Sequence, residues 1–90
     1  MLAALAAVVA IATVDAATAP ASAQSCFDLW VERNSYYKRN GYCFRTARAI
    51  NYFGNAGCSI TNQGAVPLSP AERRRIAQIV RMERALGCSG

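Results

Sequence analysis

The sequence predicts an all-α fold: a small three-helix domain stapled by disulfides, with one short extended segment near Tyr42-Phe44. Three observations carry this prediction. Apolar residues recur at helical spacing on two segments, Cys26 to Tyr37 and Ile76 to Leu86. Start signals precede both segments, and a third, shorter one lies between them. Finally, four Cys sit in a chain of 90 residues, an even count in a domain too small to rest on its core alone.

The chain divides at about residue 23. The preceding segment is apolar and rich in Ala, contains no Lys or Arg, and carries Asp15 as its single charge. Leu2 to Val14 has the length of a signal-peptide core and is short for a membrane span. Pro20 ends the run, and Ala21-Ser22-Ala23 supplies the small-x-small pattern that a signal peptidase accepts before Gln24. We therefore expect residues 1–23 to be a signal peptide and residues 24–90 to be the domain. Processing would leave no stable membrane anchor and a periplasmic or secreted bacterial location.

The elements of the domain follow in order. The first helix is expected over Phe27 to Arg39, with Ser25 as N-cap and Asp28 completing a capping box. Asn40-Gly41 supplies a left-handed stop, and Tyr42-Cys43-Phe44 is extended. The second helix covers Thr46 to Phe53, ended by Gly54. A loop rich in Gly, Asn and Thr runs from Asn55 to Leu68. The third helix has the strongest start: Ser69 as N-cap, Pro70 in the first turn and Glu72 three residues after the cap. It runs to Leu86 and stops at Gly87.

Export makes disulfides the default state of Cys26, Cys43, Cys58 and Cys88. No two are closer than 15 positions, whereas zinc sites use closely spaced Cys pairs, so no metal is expected. A Cys26–Cys43 bond is disfavoured, because a continuous first helix of ~20 Å separates the two. If the third helix runs parallel to the first, Cys88 ends near Cys43, and the predicted bonds are Cys26–Cys58 and Cys43–Cys88. The other surviving pairing is Cys26–Cys88 with Cys43–Cys58.

One charge lies inside each apolar stripe. On the first helix Arg33 falls among Cys26, Leu29, Trp30, Tyr36 and Tyr37. On the third, Glu83 falls among Ile76, Ile79, Val80 and Leu86. A charge on a packed face is costly unless paired, which points to an Arg33–Glu83 ion pair inside the fold. The opposite side of the third helix carries Arg73, Arg74, Arg81 and Arg84, a candidate anion-binding set.

Composition excludes several function classes. With no His, Ser–His and Cys–His catalysis and His-ligated metals are absent. Residues 24–90 hold only four carboxylates, Asp28, Glu32, Glu72 and Glu83, against the flanking pair that a glycosidase requires. Lys38, the sole Lys, is placed on the solvent side. No catalytic residue and no cofactor is expected. Ten Lys and Arg against those four acids favour an anionic partner. For an exported chain that partner is a cell-wall polymer or another envelope component rather than nucleic acid. Tyr36, Tyr37, Tyr42 and Tyr52 are either a sugar-stacking surface or, as preferred here, half-buried rings with hydroxyls reaching polar partners.

The segment Arg33-Asn34-Ser35-Tyr36-Tyr37-Lys38-Arg39-Asn40-Gly41-Tyr42-Cys43-Phe44 resembles the signature of the YARHG domain family. The matching positions are Arg33, Asn34, Tyr37, Arg39, Gly41, Tyr42 and Phe44. The pairs Arg45-Thr46 and Tyr52-Phe53 follow as in the family. Leu68-Ser69-x-x-Glu72, with Ile76 and Ile79 behind it, is similar to the family's closing helix. The resemblance implies an extracellular or envelope location in bacteria and an uncharacterised function, for which cell-wall binding or enzymatic activity has been suggested. Asn40 stands where the family has His, and the four Cys are outside the general pattern. The combined expectation is a non-catalytic exported module that binds an anionic envelope component. The alternatives are a cell-wall hydrolase and a module that docks onto or inhibits another exported protein.

Overall fold

A computed structural model of the chain describes residues 24–89. The expected signal peptide, residues 1–23, lies outside them. Three helices form the domain: α1 (Cys26–Arg39), α2 (Ala47–Phe53) and α3 (Pro70–Leu86), with a single 3-10 turn at Gln63–Ala65. There is no strand among the described residues. The extended segment is represented by one parallel bridge between Tyr42 and Ile60. None of the described helices is long and apolar enough to cross a membrane.

Local chemistry fixes both long helices. At α1, Ser25 Oγ accepts from Asp28 N–H at 3.1 Å while Ser25 N–H donates back to the Asp28 carboxylate, which makes the expected capping box. At α3, Ser69 Oγ accepts from Glu72 N–H at 3.0 Å, and Ser69 N–H donates to Glu72 Oε1 at 2.8 Å. Pro70 sits in the first turn, where its missing N–H costs nothing. Thr46 proves to be the cap of α2 rather than its first residue, accepting from Ala49 N–H.

α1 and α3 pack antiparallel. As the position on α1 rises from Cys26 through Arg33 to Asn40, its partner on α3 or just beyond falls from Cys88 through Glu83 to Glu72. Leu29 and Ile79 are the fully buried side chains, one on each helix. On the other side of α1, Trp30 packs with Tyr42, Phe44, Ala49 and Val66, flanked by Tyr37, Phe53, Ile60 and Leu68.

This direction of α3 corrects the preferred disulfide pairing. The bonds are Cys26–Cys88 and Cys43–Cys58, not Cys26–Cys58 and Cys43–Cys88. The rejected pairing required the second helix to carry the chain back to Cys26. Seven residues of α2 span only ~10 Å, so Cys58 arrives beside Cys43. Left-handed Gly87 then lets Cys88 N–H turn back to Glu83 O at 2.8 Å, placing Cys88 next to Cys26. By loop entropy the bonds, with separations of 62 and 15 residues, stabilise the fold by roughly 4 and 3 kcal/mol.

Two further expectations change. Leu86 is exposed rather than packed. It lies two turns beyond Ile79 on the same face, whereas α1 begins less than one turn before Leu29, so α1 does not reach far enough to cover it. Lys38 is not a solvent-facing group: its Nζ donates to Gly54 O at 3.1 Å, tying the end of α1 to the cap of α2.

Candidate functional site

The resemblance residues converge on the turn that joins α1 to the rest of the fold. Gly41 holds φ at +91°, a conformation open to glycine and strained for other residues. Its carbonyl accepts from Ser59 and Ile60 N–H. Tyr42 N–H returns to Tyr37 O, and the two rings meet edge to face at 5.8 Å. Phe44 enters the core, its backbone held on both sides by Asn55, which accepts from Phe44 N–H at 2.7 Å and donates to Phe44 O at 3.0 Å. Asn34 is buried and donates to Trp30 O. Arg39, stacked on Tyr36, reaches Glu72 at 3.3 Å. Asn40 donates to Tyr36 O and to the same carboxylate, a donor role that an imidazole N–H could also fill.

All four carboxylates of residues 24–89 are engaged within the fold. Arg33 meets Glu83 through three hydrogen bonds of 2.9, 3.2 and 3.1 Å, as its position in the apolar stripe predicts. Arg75 meets Glu32 through two bonds of 2.7 Å. The Arg75 bond, aided by the Tyr36 hydroxyl, holds the Glu32 carboxyl down at about 2 despite partial burial. Glu32 in turn raises the pKa of the Tyr36 hydroxyl and of Arg75. Glu72 is lowered by the Ser69 backbone N–H, with Asn40 and Arg39 adding to it. Asp28 closes the α1 cap.

The Glu32–Arg75 pair was missed in the sequence, although a signal was present. Arg75 lies four residues before Ile79, and Glu32 three after Leu29. This spacing sets each at the edge of its buried stripe.

The remaining arginines face outward. Arg45, Arg48, Arg73, Arg74, Arg81 and Arg84 are exposed and have no carboxylate partner among the described residues. The four on α3 lie in two rows within an arc of about 100° on one side of the helix. Arg74 and Arg81, seven positions apart, border with Arg75 and Gln78 a shallow groove of about 530 Å³. Arg84 borders a smaller hollow over the Arg33–Glu83 pair, and Arg73 shares its side of the helix. Arg45 stands at the mouth of a larger open cleft of about 650 Å³ between Tyr42–Phe44 and Thr61–Gln63.

The four Tyr residues form no common stacking face. Tyr36 donates its hydroxyl to Glu32 at 2.7 Å, Tyr42 is buried, and only Tyr52 is exposed.

The YARHG domain matches the chain over residues 6–84. The chain belongs to this family. No curated protein and no solved structure shows a significant match. A YARHG domain closed by two disulfides fits an extracellular or envelope location.

Proposed function

We propose that this YARHG protein is a non-catalytic exported module that binds an anionic component of the bacterial envelope through its outward arginines, residues 1–23 being a signal peptide removed before Gln24. The observation that carries this reading is the partition of charge. Every carboxylate of residues 24–89 is engaged by an Arg or a helix cap, while six arginines are exposed without one. The surface field is therefore positive on several sides of a small body, which draws in a polyanion and orients it weakly. The same partition disfavours hydrolysis, since a glycosidase needs two carboxylates facing a cleft and each one here is held elsewhere. All four Cys are in disulfides, so no thiolate is available as a nucleophile.

Retention of the oxidised protein on purified bacterial cell wall tests the reading. Binding at low salt that falls steeply toward 0.5 M salt is expected, with a further loss when Arg73, Arg74, Arg81 and Arg84 are replaced by Gln. No retention at low salt would favour a protein partner. Release of soluble wall fragments would establish the hydrolase alternative. N-terminal sequencing of the exported chain should begin at Gln24.

A further inference from the structure

The two exposed aromatic rings of the described residues meet at one place. Phe27 on α1 is 49% exposed and Tyr52 on α2 is 52% exposed. Their centroids lie 5.8 Å apart at 76°, and Tyr52 meets Trp30 at 5.7 Å and 83°. The rings thus form two walls near a right angle. Between them Arg48 lies over the Trp30 indole at 4.0 Å, and Asn51 stands at the rim of a niche of about 300 Å³.

No acid lines this niche. With one face of the Arg48 guanidinium on the indole, its N–H edges are left for an acceptor in its own plane, and a carboxylate matches that fork. The exposed ring faces suit the C–H face of a pyranose. Five residues are far fewer than the 20–30 per side of a stable protein interface, so the niche is matched to one sugar unit and not to a folded partner.

The geometry points to the Phe27–Trp30–Arg48–Tyr52 niche as a subsite for an acidic sugar, its pyranose ring stacked on Tyr52 with Phe27 as the second wall and its carboxylate held by Arg48. This deepens the envelope-binding reading and rests on it for the class of polymer that supplies the sugar. The chemistry is shared by uronic acids and by sugars with a carboxylate-bearing ether, as in muramic acid.

Trp30 is the only Trp in the chain and lines both this niche and the core beneath it, so its fluorescence detects binding and the Arg48 and Tyr52 variants assign the change to the niche. The oxidised protein is titrated with an oligogalacturonate, with a muramic-acid-containing glycan fragment, and with a neutral N-acetylglucosamine oligomer. A saturable change with one or both acidic glycans is expected, and which of them binds identifies the source. The neutral oligomer should bind about tenfold or more weakly, since it leaves the guanidinium fork unmatched. Arg48→Gln and Tyr52→Ala should each abolish the change while leaving the circular dichroism spectrum unaltered, because both side chains are exposed. Equal binding of the neutral oligomer, undiminished binding by Arg48→Gln, or no saturable change with either acidic glycan would overturn the inference. Salt-sensitive retention on cell wall without a Trp30 response sinks the niche and leaves the arginine surface standing. A Trp30 response without retention does the reverse.

Discussion

Replacing Arg33 by Met tests whether the fold depends on its internal ion pair. The two side chains are 18% and 12% exposed and share three hydrogen bonds. The pair therefore lies between surface pairs, worth ~0–1 kcal/mol, and fully buried ones, where removing one partner costs ~3–5 kcal/mol. Met preserves much of the aliphatic packing of the Arg stem, so the loss is mainly the stranded Glu83 carboxylate. Arg84 borders the same hollow, and its charge limits the penalty. We expect about 2 kcal/mol, which in a domain of this size lowers Tm by about 8–16 °C. The assay is thermal circular dichroism of the oxidised protein at pH 7. Glu83→Leu should behave similarly, and Arg33→Met combined with Glu83→Leu should recover most of the lost stability, since apolar replacement of both partners of a buried pair is often neutral or better. A drop below about 2 °C for Arg33→Met, or a double variant no more stable than the two single losses combined, would refute the reasoning.

Three shorter predictions follow from the same geometry. Glu32 has a folded pKa of about 2, below its ordinary 4.5, so its stabilising effect is present above pH 4.5 and lost as pH falls through 2. For a side chain 30% exposed we expect about 1–2 kcal/mol after solvent screening, and the fall in Tm between pH 5 and pH 2 should be shallower in Arg75→Gln; an identical slope would remove Arg75 as the cause. Gly41→Ala should cost about 1–2 kcal/mol by chemical denaturation. There is space for the added methyl, 3.5 Å from Ser59 Oγ, so the cost is in the backbone and a neutral result would contradict the positive φ. Non-reducing peptide mapping should return Cys26 linked to Cys88 and Cys43 linked to Cys58, and a Cys26–Cys58 peptide would contradict the antiparallel packing.

The helices were legible because their ends carry local chemistry. Ser-x-x-Asp and Ser-Pro-x-Glu place N–H acceptors at fixed offsets, and these caps set α1 to within a residue and α3 at its observed ends. The ion pair was legible because a charge in an apolar stripe requires a partner. The direction of α3 was not, since the loop after α2 has no periodicity from which to read its path. Yet the ion pair held information on this point. With Cys88 beside Cys43 in a parallel arrangement, Glu83 would lie level with about residue 38, ~7 Å along α1 from Arg33. With Cys88 beside Cys26 in an antiparallel one, it lies level with about residue 31, only ~3 Å away. The ion pair by itself therefore favours the observed bonds. The aromatic niche was hidden for a different reason. Phe27 and Tyr52 are brought together by tertiary packing, and neither lies in a pattern that separates an exposed ring from a buried one.

The family signature now has a physical content distinct from ligand binding. Arg33 holds Glu83 on α3. Arg39 and Asn40 hold Glu72, the same carboxylate that caps α3. Gly41 turns the chain and receives the loop through Ser59 and Ile60. Tyr37, Tyr42 and Phe44 fill the space beneath that turn. Asn34 bonds back within α1 to Trp30 O; the other matching positions tie α1 or the turn after it to the rest of the fold, and the Arg33 and Arg39 guanidiniums both meet carboxylates there. The outward chemistry sits on other residues: Arg48 and Tyr52 at the niche, Arg74 and Arg81 on the groove, Arg45 at the cleft. Substitutions in the signature should therefore act first on Tm. Substitutions at the outward set should act on retention and on the Trp30 response while the melting curve stays in place. Those opposite readouts separate a motif that builds the module from a surface that gives it a partner.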